Sequence, residues 1–306
     1  MDRRHAGAAV IVSHSGNLES LVGERSDSFQ FVVERGKVRE FALATKSQHP
    51  IYFNEPAPVI PPTFLASAAH WASHESDLMD RTGWDRRRML HASQAYFFPT
   101  GPPDAGTALI GAARIQAAYE RRGRRGGVLR FLVLETKFDG EDGAMVALAK
   151  TVVVETSQPP TAKAVPSTCP ENAAVSPAHA GWTVGPVDVG DFVRYAGASG
   201  DFNRLHYDEA YARAAGFSSV FAQGMFNAGV LASYVVEWLG AREVRQFNAR
   251  FVDVVWPGDM LTCGATMARR YVDRGEPRVD VNLVCARQTG ELVISGSATF
   301  AGHGDV

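Results

Sequence analysis

The 306 residues carry 31 Lys+Arg against 33 Asp+Glu, a formal net charge of -2, with 45% hydrophobic and 21% charged residues. Such a composition suits one large or two ordinary globular domains and excludes a disordered or fibrous chain; without a global basic field, nucleic acid and acidic membranes are poor partners. Three cysteines (Cys169, Cys263, Cys285), odd in number and lacking Cys-x-x-Cys spacing, argue against a disulfide framework and a structural zinc site, and the apolar run from Ala6 to Val12 is too short to span a bilayer. The expectation is a soluble protein of a reducing compartment, cytoplasmic, with Arg3 and Arg4 leaving a mitochondrial address open.

Residues 1–28 are rich in Ser, Gly and charge, show no period, and read as a tail. From Phe29 to residue 155 the pattern is that of a first domain. It runs through Lys37 to Thr45 and Ile51 to Glu55 into Pro62 to Trp71, a small-and-apolar stretch that predicts a buried helix. Period-two alternation then predicts strands over 88–98, 107–119, 127–138 and 145–155, the last two joined by a turn at Gly140 to Gly143. At 156–186 Pro, Ser and Ala dominate and periodicity disappears, which predicts an interdomain linker, since loops inside compact domains are seldom so long.

The remainder, 187–306, repeats the order of the first domain. Phe192 to Ser199 leads through Leu205 to Glu209 and into Gln223 to Trp238, followed by strands over 244–255, 260–270, 278–287 and 292–300 with a turn at 288–291. One buried helix wrapped by a curved antiparallel sheet, occurring twice, describes an α+β pseudo-dimer within one chain.

Tyr195-Ala-Gly-Ala-Ser-Gly-Asp-Phe-Asn-Arg-Leu-His206, followed eighteen positions on by Gly224 in Gln-Gly-Met, carries the chemistry. Read by itself, it offers a carboxylate, Asp201, and an imidazole, His206, five positions apart around a loop and able to converge on one small volume. Asn203 can orient the carboxylate or a water, and Gly224, opening the long apolar helix, presents free N–H groups with no side chain in the way. Phe217, Val220, Gln223, Met225 and Phe226 crowd the approach to Gly224 and are candidates to bound a pocket, as is Phe64 from the first half. Laying Ala44-Thr45 on Ala198-Ser199 places Ser47 opposite Asp201, His49 opposite Asn203 and Tyr52 opposite His206, so one acid/base pair per chain is expected.

These residues resemble the hydratase signature of the MaoC-like family, the (R)-specific enoyl-CoA hydratases and 3-hydroxyacyl-thioester dehydratases. The first half resembles the noncatalytic N-terminal domain of fused members through Val33 to Ala42, Pro61 to Phe64 and Leu90 to Gln94. The resemblance implies a double hotdog fold and a hydro-lyase that reversibly hydrates a trans-2-enoyl thioester to the (R)-3-hydroxyacyl thioester. It further implies Asp201 and His206 as the acid/base pair, Asn203 in support, Gly224 as donor to the thioester oxygen, and no metal or redox cofactor. The partner is an acyl-CoA or acyl-carrier thioester in fatty-acid or related metabolism, and a homodimer is expected. Two other classes stay open: a noncatalytic thioester-binding subunit and a hotdog thioesterase. Arg204 and Gln223 stand where the family usually has Pro and His. Arginines at 86–88, at 121–125 and at 245, 250 and 269 are candidates for phosphate contact, though charge runs are more often solvated faces; His70, His74 and His91 lack ligand spacing and read as structural.

Overall fold

The computed structural model describes residues 18–73, 77–123, 127–156 and 181–302. In the first half a short strand, β1 (Phe29–Val32), precedes helix α1 (Arg35–Ala44), the single turn α2 (Ile51–Asn54) and a 3-10 segment, Phe64–His70. Four long strands follow: β2 (Met89–Phe97), β3 (Ala108–Arg122), β4 (Val128–Asp139) and β5 (Met145–Thr156). The second half repeats the plan with β6 (Trp182–Val184), α3 (Val189–Ser199), α4 (Glu209–Ala214), α5 (Gly224–Leu239), β7 (Val244–Phe251), β8 (Leu261–Asp273), β9 (Glu276–Arg287) and β10 (Leu292–Ala301).

The strand order is β1-β3-β4-β5-β2-β7-β10-β9-β8-β6, so each half has the same internal order and the two meet where β2 pairs antiparallel with β7. Ser93 to Phe97 run against Gln246 to Arg250 across this seam. The two sheets therefore fuse into one of ten strands, because each inner edge would otherwise expose unpaired N–H and C=O groups. The predicted strands stand within a few residues of their expected limits, and both hairpin turns form, with Gly143 and Gly290 at positive φ closing them. Only β1 and β6, of four and three residues, lack any signal, being too short to show a period.

α5 lies at the centre, with thirteen of its sixteen residues buried. A helix apolar on all sides is stable only when surrounded, and burying each of Phe226, Leu231 or Val235 contributes about 1.5–3 kcal/mol. The helix predicted over 62–71 differs: it is a seven-residue 3-10 segment with i to i+3 bonds such as Ala66 N–H to Thr63 O. Its small residues, Ala66, Ser67, Ala68 and Ala69, bring too little apolar surface to sustain an α-helical stripe. The predicted tail is corrected in part as well. Leu18–Leu21 form a 3-10 turn, and Gly23 and Ser26 donate to Ile115 and Ala113 of β3, so order begins before Phe29. Residues 1–17, most of the predicted linker, His74, Arg124, Arg125 and Cys169 lie outside the described residues. Cys263 and Cys285 are buried free thiols opposite one another on β8 and β9. Among the described residues no helix is long and apolar enough to cross a membrane.

Candidate active site

Helix α3 is shaped at both ends to deliver Asp201. Asp188 and Asp191 form a capping box, each carboxylate accepting the other's backbone N–H, and the helix stops at Gly200 in the left-handed region (φ 81°). Asp201 follows at once, its N–H donating to Ser199 Oγ at 3.2 Å and its Oδ1 accepting the Asn203 N–H at 3.3 Å. The Asn203 side chain caps the next turn, accepting from Leu205 N–H at 3.1 Å, so it steers the loop through its backbone rather than by an amide bond to the carboxylate.

That turn carries His206 inward. Nδ1 lies 2.8 Å from the Phe221 carbonyl, which can only accept; Nδ1 therefore holds the proton and Nε2 is left bare. Nε2 stands 3.8 Å from Asp201 Oδ2. Burial pushes the imidazole pKa below its ordinary value, against the opposing pull of the Asp201 charge and the Phe221 carbonyl, so the ring is neutral. The His206 side chain is 9% exposed and that of Asp201 44%, so the pair spans the wall and the mouth of the site.

Residues 221–224 tie these parts together. Phe221 fixes His206 through its carbonyl and an edge contact between rings 5.2 Å apart. Ala222 N–H donates to Val255, and two residues later Gly224 opens α5. A Cβ on Gly224 would stand 3.2 Å from the Phe251 ring, so glycine here permits close approach to the helix N-terminus.

The equivalent loop of the first half repeats this scaffold without the chemistry. Lys46 (φ 61°) matches Gly200, Thr45 Oγ1 to Phe41 O matches Ser199 Oγ to Tyr195 O, and His49 N–H to Ser47 Oγ matches Asn203 N–H to Asp201 Oδ1. Ile51 N–H to His49 Nδ1 likewise matches Leu205 N–H to Asn203 Oδ1. Tyr52 fills the place of His206, buried, with its hydroxyl pKa driven up mainly by burial. A cavity of about 430 Å³ opens beside this loop, lined by Leu43, Lys46, Ser47, Gln48 and residues 182–186, but Lys46 is neutralised there by Asp191 and no acid/base pair faces it.

The candidate pocket residues are placed in packed core. Phe217, Val220 and Phe221 close on Leu205 and Trp256 in a satellite cluster that seats the loop. Phe226 packs edge-on to Phe192 and Tyr195, and Phe64 against Phe41; Met225 is buried in the same main core. These side chains are absorbed by the interior because the loop and α5 need apolar support at those positions. Of the candidate arginines, Arg86, Arg87 and Arg88 pair with Asp77, Asp80, Asp85 and Glu155, Arg245 with Glu276 and Arg269 with Asp280, while Arg121 stacks over Tyr119 at 5.1 Å. His70 borders the site, its Nε2 3.1 Å from the Gly197 carbonyl.

Residues 20–149 match the family described as FAS1-like, dehydratase domain region, and residues 173–283 match the MaoC like domain. A solved MaoC-like dehydratase superimposes with a TM-score of 0.74 over 93% of this chain and 99% of its own, at 22% identity. The chain thus carries a MaoC like domain over residues 173–283, preceded by a FAS1-like dehydratase domain region over 20–149. A Mycobacterium tuberculosis protein described as having a double hotdog fold superimposes with a TM-score of 0.64 at 10% identity, covering 93% of this chain and 97% of that one. The double hotdog expected from the sequence is thus the fold of this chain. A stretch of the chain also resembles the peroxisomal hydratase-dehydrogenase-epimerase of Saccharomyces cerevisiae, 40% identical over 63 residues, 21% of this chain and 7% of that protein. The first curated relatives are far longer, the chain spanning 5–10% of their length.

Within the MaoC like domain the two departures from the family pattern have visible consequences. Arg204 pairs with Asp208, Nη2 to Oδ2 at 2.6 Å, and its guanidinium lies over Tyr211 at 4.7 Å, pinning the turn that a proline would stiffen. Gln223 is fully buried; its amide donates to Phe192 O at 3.0 Å and Asp201 O at 3.4 Å, joining α3 to the acid/base loop rather than lining a cleft. Gln223→Leu removes the side-chain donor that ties Phe192 O of α3 to Asp201 O and is expected to cost about 1–3 kcal/mol. A urea titration checks this, and a variant as stable as wild type contradicts it.

Proposed function

We propose that this chain hydrates trans-2-enoyl thioesters reversibly to (R)-3-hydroxyacyl thioesters, acting on coenzyme A or carrier-bound acyl groups. One observation carries the reading: two acceptors, His206 Nε2 and Asp201 Oδ2, face one another at 3.8 Å beside a side-chain-free helix N-terminus. A water bonded to both at about 2.8 Å fits this gap as a double donor, which leaves a lone pair for attack.

As that oxygen bonds to C3, His206 Nε2 takes a water proton and the π electrons move through C2 onto the thioester oxygen. Asp201 stabilises the imidazolium across the gap. The Gly224 N–H, at the positive end of α5, receives the charge on the thioester oxygen, a role for which several kcal/mol are typical. The imidazolium then returns the proton to C2 from the same side, and the net change is addition of one water. No electrons leave the substrate, so no redox cofactor belongs to the proposal. The (R) outcome and the thioester class rest on the family resemblance and on the hydratase named in the yeast relative.

The test is loss of the enoyl absorbance of C4, C8 and C16 acyl-CoA substrates, read beside free-thiol release. Hydration consumes the double bond and leaves the thioester intact, whereas thiol release with the double bond unchanged marks a thioesterase. The pH profile adds a further expectation. Because burial lowers the His206 pKa, Nε2 stays free of its proton on acidification until below the ordinary value of 6.5. The acid limb of kcat/KM is therefore expected below pH 6.5, and a limb at or above it contradicts the assignment of His206 as base.

A further inference from the structure

The turn before β8 bears a buried carboxylate that the hydration chemistry leaves unused. Asp259 is 1% exposed. Its Oδ2 accepts the Trp256 N–H at 2.8 Å and its Oδ1 accepts from the Gln288 side-chain amide at 2.9 Å. Arg287, also buried, places Nη1 3.9 Å from Oδ2. Burying a carboxylate is costly even when it is bonded and paired, and apolar groups in place of such a pair are often no loss to stability.

The first half shows what the turn itself requires. There Gly106 (φ 98°) donates to Val33 O at 2.8 Å, Val33 N–H to Thr107 O at 2.9 Å and Thr107 N–H to Asp104 O at 3.1 Å. In the second half Gly258 (φ 95°) donates to Val187 O at 2.7 Å, Val187 N–H to Asp259 O at 2.9 Å and Asp259 N–H to Trp256 O at 3.1 Å. The backbone turn is the same, with Thr107 in the place of Asp259. The last hairpins correspond too: Gly140 N–H to Ala144 O matches Arg287 N–H to Glu291 O, which sets Gly140 where Arg287 stands. Both members of the buried pair therefore belong to the half that carries His206, and the turn of the other half closes without them.

What the carboxylate adds is a hold on Trp256. The Trp256 ring meets the Phe221 ring edge-on, centroids 6.0 Å apart, and alongside it Ala222 N–H donates to Val255 O at 2.9 Å. Phe221 in turn accepts the His206 Nδ1–H on its carbonyl and sets its ring edge-on to the imidazole. Leu205, the residue before His206, packs in the same cluster as Trp256. A continuous line of bonds and ring contacts thus runs from Asp259 through Trp256 and Phe221 to His206.

We propose that Asp259 is a positioning residue for the hydration reaction, holding Trp256 and through it the Phe221 seat of His206, with Arg287 and Gln288 as its supports; this rests on the reading of His206 as the base. A base displaced by about 1 Å loses its alignment with the bound water, and such displacements are felt as losses of up to about 10²-fold. The effect belongs in kcat, since a carboxylate this deeply buried has no contact to offer the ligand.

Two variants of the full chain test this with crotonyl-CoA. Asp259→Thr writes the first-half residue into the second half; it is expected to keep a cooperative urea transition and to lower kcat about tenfold or more, with KM within about threefold. Its acid limb of kcat/KM is expected to rise towards pH 6.5. Burial, which lowers the His206 pKa, outweighs the raising influences of Asp201 and the Phe221 carbonyl, so a seat loosened to water moves the ring upward. Asp259→Asn keeps an oxygen for the Trp256 N–H and is expected to recover most of kcat. A further readout needs no substrate: the His206 Nδ1–H resonance of ¹⁵N-labelled protein is expected to be sharp in wild type and Asp259→Asn and broadened by water exchange in Asp259→Thr. Wild-type kcat, limb and resonance in Asp259→Thr overturn the proposal. Equal losses of kcat in both variants with limb and resonance unmoved also overturn it, as does an Asp259→Thr protein that fails to fold, since the carboxylate then serves the turn itself. If wild type hydrates nothing while the resonance still depends on Asp259, the hydration reading fails and the seat of His206 stands.

Discussion

Asp201→Asn is expected to lose enoyl-CoA hydration by about 10³-fold while keeping the circular dichroism and melting midpoint of wild type. The carboxylate is 44% exposed on the side chain, and its structural bonds are modest: Oδ1 accepts one backbone N–H, which an amide oxygen can also do. What the amide cannot do is present two acceptors and a negative charge 3.8 Å from His206 Nε2. The bound water then loses its second anchor, and the imidazolium formed during attack loses its counter-charge. His206→Gln is expected to fall as far, because no group is left to take the proton. Asp201→Asn/His206→Gln should be scarcely worse than either single variant, since the two residues serve one proton transfer. Retention of more than a tenth of the wild-type rate in either single variant contradicts the assignment. Coenzyme A ester affinity, measured by calorimetry on Asp201→Asn, is expected to stay within a few-fold of wild type.

Gly229→Val is expected to lower stability by about 3 kcal/mol through overpacking where the two halves meet. Gly229 lies in the middle of α5, and a Cβ there would stand 2.3 Å from Thr45 Cγ2 and 2.9 Å from Thr45 Cβ at the end of α1. Contact this close is possible only because glycine has no side chain, and Ser233 Oγ consolidates it by donating to Thr45 O at 3.1 Å. The rotamer stiffness of valine leaves no way round the methyl group. Thr45→Ser removes Cγ2 while keeping the hydroxyl that bonds Phe41 O, so adding it to Gly229→Val should restore a substantial part of the loss. Urea unfolding of the four proteins completes the cycle. A Gly229→Val protein as stable as wild type, or a loss untouched by Thr45→Ser, means that α5 does not bear on the first half in the way described.

The long strands were readable because half-buried antiparallel strands alternate by necessity, and the internal repeat because the same hydrogen-bonded loop recurs at 45–52 and 199–206. That alignment sets Lys46 opposite Gly200, but their shared positive φ leaves no mark in composition. The segment 62–71 misled because apolar content alone does not separate a helix that must fill a sheet from a short 3-10 turn. Phe217, Val220 and Phe226 read either way for a related reason: aromatic and β-branched residues beside a reactive loop are as useful for seating it as for lining a cleft. His91 reads as structural for want of ligand spacing, and its neighbours Phe251 and Asp201 lie far away in sequence. Only the bulge at Ala92 and the pairing of β2 with β7 bring it to them, and neither a bulge nor a seam leaves a mark in hydrophobic periodicity.

The central claim concerns which bond is made and by what, and isotopic labelling addresses it most directly. Wild-type protein is incubated with crotonyl-CoA in water doubly enriched in ¹⁸O and deuterium, and the coenzyme A esters are separated and read by mass spectrometry. The account predicts 3-hydroxybutyryl-CoA carrying one ¹⁸O at C3 and one deuterium at C2, in the (R) configuration, with no free coenzyme A. Appearance of free coenzyme A and unlabelled crotonate carbons, or crotonyl-CoA recovered unchanged, would contradict it.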